Sequence, residues 1–220
     1  MDAATSGRPL RRDAERNRRR TLHAAEELFA RHGLDVTLDD VARHAGLGVG
    51  TVYRRFANKE ELIEALFEEK VAALAGLAER AAAAPDPGTA LIDFLTEACT
   101  RHALDHGLRE ISLSNRYAPA RIAVVKERLV PAIRTLVARA QSAGALRADF
   151  TAEDVPVVLL MVGAAADFGQ QADPQAWRRY LVLLLDGLPV TRRCATALPR
   201  PSLTEEELAA ATARFSPPRR

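Results

Sequence analysis

Between Thr37 and Phe56 the chain reads Thr-Leu-Asp-Asp-Val-Ala-Arg-His-Ala-Gly-Leu-Gly-Val-Gly-Thr-Val-Tyr-Arg-Arg-Phe. Two helical patterns share these residues. Each is too short to be stable alone in water, so each must be held by packing. The Thr37 hydroxyl is placed to cap the backbone N–H of Asp40, and Asp39 and Asp40 suit the positive end of a helix. Val41, Ala42 and Ala45 give that helix a buried face, and Gly46 stops it with a residue that can take positive φ. A second short helix is expected over about 49–55. Two short helices meeting at a steep angle need a small residue at the contact and a tight turn between them. Ala42 and Gly46 supply these, while Val41, Ala45, Leu47 and Val52 supply the shared apolar contacts. In an Ala-rich chain the Ala-x-x-x-Gly spacing is weak by itself. Joined to the caps and the helix lengths, it specifies a helix-turn-helix.

The flanking segments are also helical. Leu22, Ala25, Leu28 and Phe29 recur at helical spacing before Gly33, which predicts a helix over about 12–32. Asn58 and Glu61 form a capping-box pattern that opens a long helix over about 59–83, lined by Leu62, Leu66, Val71, Leu74 and Leu77. Pro85 to Gly88 break it. Further helices are expected over about 89–106, 108–115, 119–143, 152–171, 174–187 and 204–215. Pro131 should kink or divide the helix it lies in, and Asp173-Pro174 should open the ninth with proline at its first position. No useful β-alternation is present. The fold class is therefore all-α, with about nine to ten helices. The expected division is a basic flexible arm at 1–11, a three-helix DNA-binding unit at 12–58, a helical ligand-binding and dimerisation domain at 59–187, and an extension at 188–220.

The net charge is only +2, but its distribution is uneven. Arg8, Arg11, Arg12, Arg16, Arg18, Arg19 and Arg20 face only Asp13 and Glu15 in that stretch. The first sixty residues carry a net +3 and the remainder a net −1, a basic end on a neutral body. Arg8, Arg11 and Arg12 suit either an arm following the minor groove or phosphates, or a solvated tail. The two cysteines, Cys99 and Cys194, make neither a metal cluster nor a disulfide framework. The N-terminus has no apolar signal-like run and no segment reads as a membrane span, so the expected location is the cytoplasm. No nucleophile motif, phosphate loop, paired carboxylates or metal cluster supports an enzyme, and no cofactor is expected.

The second short helix has an unusual surface for a structural element. Thr51, Tyr53, Arg54 and Arg55 cluster on it and Lys59 follows. Hydroxyls and guanidinium groups serve for phosphate clamping and base-edge reading. This segment resembles the TetR (tetracycline-repressor) family of bacterial regulators. The resemblance rests on Thr37, Val41, Ala42, Ala45, Gly46, then Val49-Gly50-Thr51-Val52-Tyr53, Phe56 and Asn58-Lys59-Glu60-Glu61-Leu62. It covers about residues 15–65; beyond them only helix count and order can be compared. It implies that Thr51 reads or clamps in the major groove. Tyr53 would bond a phosphate, Lys59 would contact phosphate at the start of the fourth helix, and Arg55 would touch DNA. Thr37 would cap its helix with an exposed face near the backbone. Val49 and Gly50 can approach a thymine methyl or the backbone but make no bidentate base contact. Base specificity would then rest on Arg55, Arg54 and Thr51.

For the body the resemblance implies a homodimer through the eighth and ninth helices and an inverted-repeat operator. It also implies an unidentified small hydrophobic or amphipathic effector whose binding releases a repressor from DNA. The ninth helix, with Leu181 to Leu185, is apolar almost all round, as a helix buried on several sides would be; an intramolecular core is the other reading. The interface candidates are Leu159, Val162, Ala166, Trp177, Leu181, Leu184 and Leu185. Trp177 taken alone reads as packing. Polar residues in apolar helical surroundings are the pocket candidates: Thr96, Cys99, His102, Asn115, Arg116, Asp167 and Gln170. His102 and His106 are one helical turn apart but lack further metal-ligating partners, so no metal site is expected. Cys99 reads as a buried thiol before a redox sensor. Two other function classes remain: a ligand-independent architectural DNA binder, which would need a broad basic surface, and an enzyme with a DNA-binding appendage.

Overall fold

The computed structural model describes the backbone of residues 7–112, 119–189 and 196–214, and the side chains of 12–109, 127–189 and 196–212. All regular elements among them are helical. They are α1 (Gly7–His32), a 3₁₀ turn (Gly33–Asp35), α2 (Leu38–His44), α3 (Val49–Tyr53), α4 (Lys59–Ala83), α5 (Pro87–Leu104), α6 (His106–Ser112), α7 (Pro119–Ser142), α8 (Asp154–Gly169), α9 (Trp177–Leu185) and α10 (Glu205–Arg214).

Two apolar clusters organise the chain. The first joins α1 to the start of α4: Leu22, Ala25, Phe29, Val41, Ala42, Val52, Phe56, Leu62 and Ile63 are almost fully buried. The second draws on α4, α5, α7, α8 and α9, including Phe94, Leu95, Cys99, Leu136, Val162, Trp177 and Leu181. Helix α4 feeds both clusters, so it couples them mechanically.

Several helix ends depart from the sequence expectation. Helix α1 begins at Gly7, so residues 7–11 of the expected arm continue the helix. Arginine and leucine are good helix formers, and Pro9 lies in the first turn, where a missing N–H costs nothing. Residues 1–6 lie outside the described set. Asn58 accepts from the Glu61 N–H at 2.8 Å, but the Glu61 carboxylate reaches back to the Ala57 N–H instead of Asn58. Helix α5 starts earlier than expected because Asp86 caps it, accepting from the N–H groups of Gly88 and Thr89, with Pro87 at its first position. Helix α7 continues as one helix through Pro131 rather than dividing there. Helix α9 starts only at Trp177; Asp173 Oδ1 accepts from the Gln175 N–H at 2.9 Å, a tight turn that holds Pro174 outside the helix.

The C-terminal extension is tied back onto the body. Arg147 donates to the Thr196 carbonyl at 2.7 Å, and the Leu198 N–H donates to Asp149 at 3.2 Å. Arg134 bridges Glu153 of the segment before α8 and Glu205 of α10. Cys194 lies outside the described residues. Among those described, no helix is long and apolar enough to cross a membrane.

Candidate nucleic-acid interface

The reading head is built as the caps and the glycine predict. Thr37 Oγ1 accepts from the Asp40 N–H at 3.2 Å and donates to Asp40 Oδ2 at 2.6 Å, while the Thr37 N–H also donates to Oδ2. These bonds hold the Asp40 carboxyl below the ordinary aspartate range, with Thr37 as the leading cause. Gly46 sits at φ +61°. Over this turn lies Arg20, whose Nη2 donates to the carbonyls of Ala45 at 2.7 Å and Gly46 at 3.3 Å. Two turns further along the same face of α1, His44 of α2 meets Glu27 at 2.6 Å. That hydrogen bond is the main reason the Glu27 carboxyl is depressed. Helix α1 is thus tied to the turn backbone through Arg20 and to the His44 side chain of α2 through Glu27, neither of which was marked for this role by the sequence.

Helix α3 buries Val52 and, just beyond it, Phe56 in the first core. Its other residues face outward. Val49 is 44% and Tyr53 46% exposed, and Gly50, Arg54 and Arg55 are exposed. Thr51 is half-buried, and its hydroxyl accepts from Arg54 Nη2 at 3.4 Å. The α3 helix ends at Tyr53, leaving Arg54 and Arg55 on the turn that follows. A Cβ placed at Gly50 would meet nothing within 4 Å, so the backbone there is open to a close neighbour. Lys59 is half-buried and donates to the Leu34 carbonyl.

The contrast with the arginines of α1 is physical. Arg16, Arg18 and Arg19 pair with Asp13, Glu69 and Glu15, and Arg20 holds the turn. Arg54 and Arg55 pair with no acid among the described residues. Two unneutralised guanidinium groups therefore stand beside α3, where an anionic groove would meet them. The side chains of Arg8 and Arg11 lie outside the described set; Arg12 is exposed.

The sequence pattern described as "Bacterial regulatory proteins, tetR family" matches residues 22–66, and that of the "Transcriptional regulator SbtR-like, C-terminal domain" matches 86–190. The chain belongs to the TetR family. It is similar along most of its length to the TetR transcription regulatory protein from Mycobacterium vanbaalenii, at 33% identity and a TM-score of 0.61, with 83% of this chain and 100% of that one covered. A TetR transcriptional regulator from Streptomyces coelicolor is 30% identical, with 80% and 99% covered and a TM-score of 0.58. An HTH-type transcriptional regulator of Staphylococcus aureus strain USA300 is 37% identical over 54 residues, which is 24% of this chain and 29% of that protein. That match falls short of the relative's full length. This TetR-family chain is a DNA-binding transcription regulator and not an enzyme.

The body sorts the pocket candidates differently from the sequence. Thr96 and Gln170 are exposed, and the Thr96 hydroxyl donates to the Ile92 carbonyl of its own helix. Cys99 is fully buried in apolar surroundings, which push its thiol up to about 12, the environment of a structural thiol. His102 is buried near the end of α5, and Asp167 on α8 pairs with Arg109 of α6 at 2.7 Å. Asn115 and Arg116 lie outside the described residues. His102 and His106 are on different helices because α5 ends at Leu104, and no metal-binding cluster exists among the described residues.

Of the interface candidates, Val162, Ala166, Trp177, Leu181 and Leu185 are buried within the single chain, and Leu159 and Leu184, half-buried, pack against the same core. Helices as apolar as α8 and α9 first fill the chain's own interior. Their outward apolar residues are instead Met161 and Phe168 on α8, and Tyr180, Val182 and Leu183 on α9.

Proposed function

We propose that this TetR-family protein is a cytoplasmic repressor that binds a palindromic operator as a homodimer and is released by a small hydrophobic or amphipathic ligand. The observation that carries DNA reading at α3 is its outward face: Tyr53 exposed, Arg54 and Arg55 exposed and unneutralised, above a backbone left open at Gly50. Thr51 and Tyr53 clamp or read, Arg55 and Arg54 supply base discrimination, and Lys59 leaves the Leu34 carbonyl to meet phosphate. Val49 approaches a thymine methyl. Thr37 acts mainly as the cap, with its hydroxyl already bonded. In this proposal residues 12–58 are the reading head and 59–187 the ligand-binding and dimerisation body.

One short helix reads few base pairs, so two copies about 34–36 Å apart on one DNA face are needed for a long site. The outward residues of α8 and α9 support such pairing. Met161 and Phe168 are seven residues apart, hence on one face, and Phe168 is 91% exposed. Apolar side chains grouped in this way favour a partner surface over water. Ligand acts by binding unequally to two states, one of which holds the heads out of register with adjacent major grooves.

The test is footprinting upstream of the protein's own and neighbouring genes, with the wild type and Arg55→Ala. One protected inverted repeat, lost or altered in the variant, supports the reading. Uniform protection along the DNA supports an architectural binder instead. Sedimentation of Met161→Asp/Phe168→Asp addresses the dimer: a stable dimer with both substitutions overturns the α8–α9 assignment.

A further inference from the structure

Arg109 is the buried arginine of the described residues. It lies in α6, which packs on α1 and α5, with 5% of its surface exposed, and its side chain reaches α8. Its Cδ and the His102 ring rest against Gly163 of α8. A Cβ at that glycine would sit 2.9 Å from the ring and 3.0 Å from Arg109 Cδ. Nη1 donates to the carbonyls of His102 at 3.1 Å and Ala103 at 2.5 Å, the open carbonyl end of α5. Nη2 donates to Asp167 Oδ1 at 2.7 Å. Nε is buried and has no acceptor among the described residues.

A guanidinium presents Nε and Nη2 as one edge spaced to take two oxygens of a carboxylate in parallel. Here that edge is half-filled. Asp167 bonds one corner and leaves the other vacant, in surroundings where a vacant donor is costly. The carboxylate that does bind is the accessible member of the pair: the Asp167 side chain is 39% exposed and the Arg109 side chain 6%. The cation is thus fixed inside, while its counter-ion stands at the rim. The neighbouring ring is neutral at physiological pH, because burial, then the charge of Arg109, pushes the His102 pKa down to about 4.

We propose that the Nε/Nη2 edge of Arg109 is the anion seat of the effector site, and that the effector is an amphipathic carboxylate whose two oxygens take this edge and displace Asp167 to solvent. The inference rests on the effector reading given above and names the chemistry that reading leaves open. The apolar tail is carried over from the effector reading, while Asp167 sets the threshold that an incoming anion must exceed.

The test is calorimetric titration of the full-length protein with a straight-chain carboxylate series, butanoate to dodecanoate, and with the matching neutral alcohols. The wild type should bind its best carboxylate at least about tenfold more tightly than the corresponding alcohol, the margin of one charge-assisted bond pair. Asp167→Asn removes the internal competitor, so it should tighten carboxylate binding by about tenfold and leave the alcohol unchanged. Arg109→Lys keeps the charge and loses the fork, so it should abolish the preference. If Arg109→Lys fails to fold, Asp167→Asn carries the test alone. Equal binding of acid and alcohol, no binding by any carboxylate, or weaker carboxylate binding in Asp167→Asn overturns the proposal. Gel shifts on the footprinted operator with the same samples separate the two readings. Carboxylate that binds through Arg109 without releasing DNA leaves the seat intact and refutes the effector role. Release by a neutral ligand, indifferent to both substitutions, refutes the anion seat alone.

Discussion

Gly46 and Gly144 both have positive φ, +61° and +67°, but differ in what a side chain would meet. At Gly144 a Cβ finds open space, whereas at Gly46 it lies 3.3 Å from Arg20 Nη2, the group that holds the α2–α3 turn. Gly→Ala at either position forces a residue with a Cβ into left-handed backbone, a cost of roughly 1–2 kcal/mol. Stiffening the unfolded chain offsets about 0.4–1 kcal/mol of this at both positions and cancels in the comparison. Gly46→Ala also disturbs the Arg20 bonds to the carbonyls of Ala45 and Gly46; charge-assisted bonds are worth about 1.5 kcal/mol or more. At about 3 °C per kcal/mol for a chain of this size, Gly46→Ala should melt roughly 3–6 °C below Gly144→Ala. Calorimetric melting of the two variants and the wild type measures this, and gel shifts should show weakened operator binding for Gly46→Ala alone. Equal losses in the two variants would refute the role given to Arg20. No loss in either would refute the backbone argument itself.

Gly50→Ala should raise thermal stability, since alanine gains up to about 1 kcal/mol over glycine in a helix, yet lower operator affinity if α3 lies against DNA. Unchanged affinity in a gel shift would place α3 away from the groove. Tyr53→Phe should weaken every operator variant alike by roughly tenfold or less, as loss of one phosphate bond does. Arg55→Ala should change the preferred sequence, as read by competition binding. Buried His102 is harder to protonate in the folded state, so its contribution to stability is complete above pH 6.5 and is lost as the pH falls towards about 4. Linkage over that window amounts to about 3 kcal/mol, and His102→Gln should flatten the stability profile there if this holds. Asp40, depressed by Thr37, stabilises the head above the ordinary aspartate range and loses that effect as the pH falls through it. Thr37→Ala should therefore cost about 0.5–2 kcal/mol at neutral pH and blunt the acid limb of the urea-unfolding profile.

Local chemistry made the reading head legible in the sequence. The Thr37 cap, the Gly46 turn and the boundaries of α4 each depend on residues a few positions apart, and the backbone bonds they dictate appear at those positions. The start of α9 was less legible because Asp173-Pro174 fits both a helix cap and a tight turn, and the turn formed. The sequence also marked α9 as apolar almost all round. It could not say which face α8 and α9 each give to their own core, because that depends on how α5 approaches them. The tertiary structure decided that Val162, Trp177 and Leu181 turn inward and that Met161, Phe168 and Leu183 remain outside. It likewise singled out Arg109 from a chain rich in arginine. Nothing within α6 marks that residue; the α5 carbonyls that hold it belong to the preceding helix, but Gly163 and Asp167 come from α8, distant in sequence. Caps, turns and periodicity are short-range and so are written in order along the chain. Burial and charge pairing are properties of the packed neighbourhood, and they exist only once the helices have met.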